Sequence, residues 1–283
     1  MSGDLIMLDM AMARLHEATV LLYCLSVLLY FIDFLHNNRK VNTYAFRLLS
    51  VVWVLQTIFL FLYVVKTGRF PVLTIFEGLY FYVWVLVTLS LVINKLMKTD
   101  FTVFFTNVLG FIAMAIHTFA PTQAHSEVLA EQLVSELLII HIMIAFLAYG
   151  TFTLSFVFAI LYLLQYDLLK RKKWGKRLIR IGDLHNLEKL SHILNAIGVP
   201  LLFSALVLGV LWAYIKVPGI IWTDIKIIGS FIMLVLYSTI IYMKVRKQVN
   251  GKTLAYWNIG VFFFMLVNFF LFGSLSTFHF WNI

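Results

Sequence analysis

The chain has 283 residues, of which 62% are hydrophobic and 12% are charged. Water-soluble domains contain about 45–50% apolar residues, so this composition excludes a soluble globule and indicates an integral membrane protein. The formal net charge of +9 does not indicate nucleic-acid binding, because basic residues in so apolar a chain fix topology and face anionic lipid.

Eight stretches of the chain have the length and composition of membrane spans. A spanning helix needs about 20 mostly apolar residues. The sequence therefore predicts an all-α fold, a polytopic membrane bundle of eight transmembrane helices that forms a single domain over residues 1–283. The predicted spans are Leu15–Leu35, Tyr44–Val65, Phe76–Leu96, Phe101–Phe119, Val134–Tyr166, Ile193–Ile215, Ile225–Met243 and Tyr256–Thr277.

Lysine and arginine are distributed unevenly between the two sides of this bundle. Positively charged loops remain cytoplasmic. If the N-terminus is outside, 17 of the 22 basic residues lie on the inner side. We therefore predict a multi-pass membrane protein with both termini outside.

The longest inner loop, residues 168–192, is basic and amphipathic. Its first part, Lys170–Arg180, is predicted to bind anionic lipid, and docking of a cytosolic protein is the alternative. Its apolar residues recur at helical spacing, with an interruption predicted at Gly182-Asp183. These apolar residues are Leu178, Ile181, Leu184, Leu187 and Leu190.

Few residues carry recognisable chemistry. The single cysteine, Cys24, excludes an intrachain disulfide and a thiolate metal site. Carboxylates lie near the ends of the predicted helices, whereas ion-coupled transporters place them near the bilayer midplane. No nucleophile elbow, phosphate loop or zinc-binding helix motif is present, and the protein is predicted not to be an enzyme.

Two histidines are predicted to reach the outer side of the bundle. His141 lies two turns into an apolar span, where an imidazole needs a partner or a ligand. His279 follows the last span. Two imidazoles from different helices could ligate haem iron, with Trp212, Trp222 and Tyr214 beside the porphyrin. Hydrogen-bonded histidines and an interfacial aromatic belt are the alternative explanation.

Ordered short motifs give the chain a family resemblance between about Gly68 and His279. Five stretches carry it: Gly68-Arg69-Phe70-Pro71 with Phe76-Glu77-Gly78-Leu79-Tyr80, then Ser135-Glu136-Leu137-Leu138-Ile139-Ile140-His141 with Ala148-Tyr149-Gly150, then Leu190-Ser191 with Ile197-Gly198-Val199-Pro200, Gly209 and Trp212-Ala213, then Trp222-Thr223-Asp224-Ile225-Lys226, and last Ser276-Thr277-Phe278-His279. Together they resemble the CcsA-type cytochrome c assembly proteins, in particular their HemX branch. Within this pattern Glu77 is expected to pair with Lys226 or Arg69.

The chain departs from the synthases of that family in two places. The tryptophan-rich motif is reduced to Trp222, Asp224 and Lys226, and Lys244 stands where the synthases commonly carry an inner histidine. The large outer loops that would receive apocytochrome are also missing. These departures are typical of the HemX branch.

The resemblance implies both a cofactor and a role. It implies that haem b is held by His141 and His279, with Trp212, Trp222 and Asp224 shaping the site. It further implies a link to haem biosynthesis, in which the protein lowers the level of glutamyl-tRNA reductase. The implied partner at the cytoplasmic face is glutamyl-tRNA reductase or another haem-pathway protein. The alternatives are a haem-handling subunit of a cytochrome c synthase, and a small-molecule transporter or scaffold without haem.

Overall fold

The computed structural model describes residues 2–71, 74–97, 100–119, 135–172, 175, 180–216 and 223–276. This part of the chain contains eight long helices and no strand. All eight are long and apolar enough to cross a membrane, which confirms the prediction of an all-α bundle with eight spans. They are α1 (Ser2–His36), α2 (Arg39–Thr67), α3 (Ile75–Met97), α4 (Asp100–Thr118), α5 (Glu136–Lys170), α6 (Leu184–Lys216), α7 (Ile225–Val245) and α8 (Gly251–Leu275).

The helices form two compact units. Unit 1 covers Met1–Pro121 and contains α1 to α4, and unit 2 covers Thr122–Ile283 and contains α5 to α8. The single domain over residues 1–283 and the outward orientation of the termini both stay predictions.

A buried chain of hydrogen bonds holds α1, α3 and α4 together inside unit 1. The Tyr23 hydroxyl donates to Asn107 Oδ1 at 3.0 Å, and Asn107 Nδ2 donates to Ser90 Oγ at 3.0 Å. Tyr23 also packs against Gly110, where a Cβ atom would collide with its hydroxyl. Because each buried polar group is paired, this contact costs little desolvation and fixes the register of the three helices.

The connection between α2 and α3 is closed by an ion pair. The helix α2 ends at Gly68, whose φ of +66° is the left-handed conformation that glycine favours. The next residue, Arg69, donates two hydrogen bonds of 3.0 Å to Glu77, so the expected pairing of Glu77 with Arg69 is confirmed. Partial burial lowers the pKa of the Arg69 guanidinium, but the hydrogen bonds and charges of Glu77 and, to a smaller extent, of Tyr63 outweigh this effect and raise the pKa.

Unit 2 is built around α5, whose middle is buried against α6 and α8. Side chains of α5 contact α8 in reverse order: Phe146 packs on Phe269, and Phe156 stacks on Phe262 at 3.9 Å. The two helices are therefore antiparallel. Gly198 of α6 lets that helix approach α5 closely, because a Cβ atom there would lie 2.6 Å from Thr151 Oγ1.

The helix α6 begins nine residues before the predicted Ile193. Asp183 caps it, accepting a hydrogen bond of 2.8 Å from the backbone N–H of Asn186. Gly182 precedes it at φ +100°, so the predicted interruption at Gly182-Asp183 is confirmed. Leu187 is 1% exposed, which explains the early start, because its burial in unit 2 stabilises the first turn.

Candidate functional site

His141 lies in the second turn of α5, against the backbone of α6. Its Nδ1 atom is 2.6 Å from the carbonyl oxygen of Ala205. One turn further along α6, Gly209 leaves room for the ring, since a Cβ atom there would lie 2.7 Å from Cε1 and 2.8 Å from Nδ1 of His141. The absence of a side chain at position 209 thus makes the contact possible.

This contact determines which ring nitrogen of His141 carries the proton. A carbonyl oxygen only accepts hydrogen bonds, so Nδ1 must be the donor. In the neutral ring the lone pair then lies on Nε2, and no hydrogen bond within the described part of the chain involves that atom. Histidines that bind metals are commonly held in this way, with the second nitrogen bonded to a carbonyl.

The antiparallel packing of α5 and α8 places His141 at the same end as the last residue of α8. His141 precedes Phe146 by five residues, and Ser276 follows Phe269 by seven. At a rise of about 1.5 Å per residue, both lie roughly 8–10 Å beyond the Phe146–Phe269 contact, on the same side of it.

Asp224 joins the start of α7 to the end of α8. Its Oδ1 accepts from the backbone N–H of Lys226 at 2.9 Å and caps α7. Its Oδ2 accepts from the Ser276 hydroxyl at 2.8 Å. With 5% of its surface exposed, the carboxylate uses both oxygens to fix the point where the chain leaves α8.

Lys226 is a buried cation that belongs to the reduced motif but is not among the predicted site residues. Its side chain reaches across to α8, where Nζ donates to the carbonyl oxygens of Asn268 at 2.8 Å and Phe269 at 3.4 Å. Nζ also lies 5.4 Å from the centre of the Phe269 ring, in a cation–π contact. Ionisable residues are rare in apolar spans and usually have a function, so the position of Lys226 at the start of a predicted span could have indicated its role in the site.

Of the remaining predicted site residues, the structure describes only Trp212. Trp212 is 6% exposed and follows Ala205 and Gly209 at helical spacing, so it lies on the α6 face that contacts His141. Trp222 and His279 lie outside the described residues. The structure thus gives positions for His141, Trp212 and Asp224 of the five.

The opposite end of unit 2 carries an ion pair. Lys244 of α7 pairs with Glu188 of α6. Gly251 packs against this pair, since a Cβ atom there would lie 2.5 Å from Glu188 Oε2. In the described residues, no three His, Cys, Asp or Glu side chains group in a way that could hold a metal ion.

The chain matches known proteins over most of its length. The family model described as "Cytochrome C assembly protein" matches residues 72–279. The chain is 56% identical over 276 residues to Protein HemX of Bacillus subtilis (strain 168), covering 98% of this chain and 100% of that protein. It is 41% identical over 267 residues to Protein HemX of Brevibacillus brevis, covering 94% and 97%.

A more distant match covers two thirds of the chain. The cytochrome c biogenesis protein CcsA of Chlamydomonas reinhardtii is 25% identical over 197 residues, which is 66% of this chain and 53% of that protein. With eight spans, the family model and two nearly full-length relatives in agreement, the chain belongs to the cytochrome c assembly protein family, as a multi-pass bacterial membrane protein of the HemX type.

Proposed function

We propose that this protein binds haem b at the end of unit 2 that carries His141, with His141 and His279 as axial ligands of the iron. It binds haem without transforming it, and through the bound haem it lowers the level of glutamyl-tRNA reductase. The observation that carries the proposal is the hydrogen bond from His141 Nδ1 to the Ala205 carbonyl oxygen.

The tautomer of His141 supports axial ligation. Haem iron takes a neutral imidazole nitrogen with an available lone pair. The Ala205 carbonyl holds the proton on Nδ1 and so leaves Nε2 for the iron. Gly209 and the buried Trp212 lie on the face of α6 next to His141, and this face is an apolar surface on which the porphyrin of haem could pack.

The length of chain after α8 supports the second ligand. Ser276 is fixed to Asp224 by a hydrogen bond of 2.8 Å, and it lies at the same end of unit 2 as His141. His279 comes three residues after Ser276, and three extended residues span at most about 11 Å. A connection of this length supports His279 as the second ligand, because the anchored Ser276 lies at the same end of unit 2 as His141.

The link to haem biosynthesis rests on the relatives and on the basic inner loop. Two relatives that align over nearly their full length are named HemX. Residues 168–192 present basic residues on the predicted cytoplasmic side, where Lys170–Arg180 meets anionic lipid and a haem-pathway protein such as glutamyl-tRNA reductase would dock.

An absorption spectrum of the full-length protein purified from haem-replete cells tests the haem proposal. We expect a Soret band in the wild type and its loss in His141→Ala and His279→Ala. His185→Ala, an exposed histidine at the opposite end of unit 2, serves as the matched control and keeps the band. A wild type without a Soret band would overturn the proposal in favour of a transporter or scaffold without haem. A band that survives both substitutions would overturn the assignment of His141 and His279 as the ligands.

A second candidate, a haem-handling subunit of a cytochrome c synthase, is favoured by the family model and the CcsA relative. The ion pair between Lys244 and Glu188 argues against it, because it occupies the place of the inner histidine. Deleting the gene separates the two functions. Our proposal expects unchanged covalent haem staining of c-type cytochromes and more glutamyl-tRNA reductase, whereas a synthase deletion abolishes the stain.

A further inference from the structure

Unit 1 contains a second pair of histidines, which the proposed haem site does not use. His16 of α1 and His117 of α4 come together with ring centres 5.2 Å apart. Tyr80 of α3 lies against both, with ring centres at 5.9 Å from His16 and 5.3 Å from His117. Three helices thus contribute one polar aromatic side chain each to a single cluster.

Hydrogen bonds around His16 determine its tautomer. The Thr118 hydroxyl donates its only proton to the carbonyl oxygen of Met114 at 2.8 Å. The Thr118 oxygen, 3.2 Å from Nε2 of His16, must therefore accept, and His16 donates from Nε2. In the neutral ring the lone pair of His16 then lies on Nδ1.

The Nδ1 atom of His16 is buried and has no hydrogen-bond partner among the described residues. The hydroxyl of Tyr80, a side chain that is 2% exposed, is buried in the same way without a partner. Buried polar atoms are nearly always paired, and each one left alone costs stability. Two such atoms in one cluster indicate that something absent from the chain itself satisfies them.

The spacing of the two imidazoles fits a shared metal ion. Two imidazoles bound to one tetrahedral ion through bonds of about 2.0–2.1 Å have ring centres roughly 5 Å apart. The observed 5.2 Å matches this spacing, and it leaves no room for an organic ligand between the rings. The Thr118 oxygen accepts a hydrogen bond from Nε2 of His16, the nitrogen that would not bind the metal. Metal-bound histidines commonly donate their second ring N–H to a neighbouring acceptor in this way.

We propose that His16, His117 and Tyr80 bind one late first-row divalent metal ion, such as Cu²⁺ or Zn²⁺, through His16 Nδ1, one nitrogen of His117 and the Tyr80 oxygen. Imidazole suits copper and zinc, and the oxygen ligand completes a three-ligand set with an open position. Phe59 packs on Tyr80 at 4.7 Å and shields one side of the cluster. The site belongs to unit 1 alone and is independent of the proposed haem site.

Titration of the full-length protein with Cu²⁺, followed by electron paramagnetic resonance, tests this site. The protein carries an affinity tag without histidine, so that the tag adds no ligand. We expect one tight equivalent of Cu²⁺ with hyperfine coupling to two imidazole nitrogens. His16→Gln and His117→Gln should each weaken binding at least tenfold, because each removes a ligand.

Two further variants keep the test informative if a histidine variant folds poorly. Thr118→Val is nearly isosteric and retains both histidines, and it should weaken Cu²⁺ binding about tenfold, as the loss of an outer partner does. Tyr80→Phe should keep the two-nitrogen coupling and change the copper g values. His36→Gln, an exposed histidine at the other end of α1, is the matched control and should bind as the wild type does.

Three results would overturn the metal site. One is a wild type that takes up no stoichiometric Cu²⁺. Another is equal affinity in His16→Gln and His36→Gln. The third is a copper spectrum that Thr118→Val and Tyr80→Phe both leave unchanged, in folded proteins of wild-type circular dichroism.

Discussion

At the scale of the residue, the ring of His141 lies where α6 lacks a side chain. In Gly209→Ala the new methyl group would sit 2.7 Å from Cε1 of His141 and must push the ring away. The ring would then lose the Ala205 carbonyl that sets its tautomer. We expect haem affinity to fall by about 10–100-fold, the usual effect of losing an outer partner of a metal ligand, as measured by haem titration of the purified protein.

Gly260→Ala provides the control for this substitution. Gly260 is exposed on α8, and a Cβ atom there would meet nothing within 4 Å. The same change of glycine to alanine within a helix therefore alters helix propensity without touching the site. Equal haem affinity in the two variants would show that the close approach at position 209 has no part in binding.

At the scale of the element, Asp224 both caps α7 and anchors the end of α8. Asp224→Ala removes the cap, worth about 1 kcal/mol, and also releases Ser276. Asn250→Ala removes only a cap, that of α8, where Asn250 accepts from the backbone of Thr253 at 2.9 Å. Both variants should lower the Tm by about 2–4 °C, but only Asp224→Ala should weaken haem binding. Full haem retention in Asp224→Ala would contradict the anchoring role.

The sequence predicts the eight elements more readily than their contacts. Length and apolar composition are enough for the spans, because only helices of this length satisfy their own backbone in lipid. The partner of His141 is a backbone carbonyl of Ala205, which leaves no side-chain signal. The cluster of His16 and His117 joins residues 101 positions apart, and no local spacing indicates such a pair. Helices that are apolar on all faces do not indicate which neighbour each face meets.

At the scale of the whole molecule, the orientation in the membrane decides which compartment the His141 end faces, and cysteine labelling across α7 tests it. Thr223 and Gln248 are exposed residues just before and just after this span. In a Cys24→Ala background, we expect an impermeant maleimide to label Thr223→Cys in intact cells and Gln248→Cys only after lysis, because basic loops stay inside. The two single-cysteine variants serve as controls for each other. The reverse pattern would turn the His141 end toward the cytoplasm, and equal labelling of both would contradict the assignment of α7 as a span.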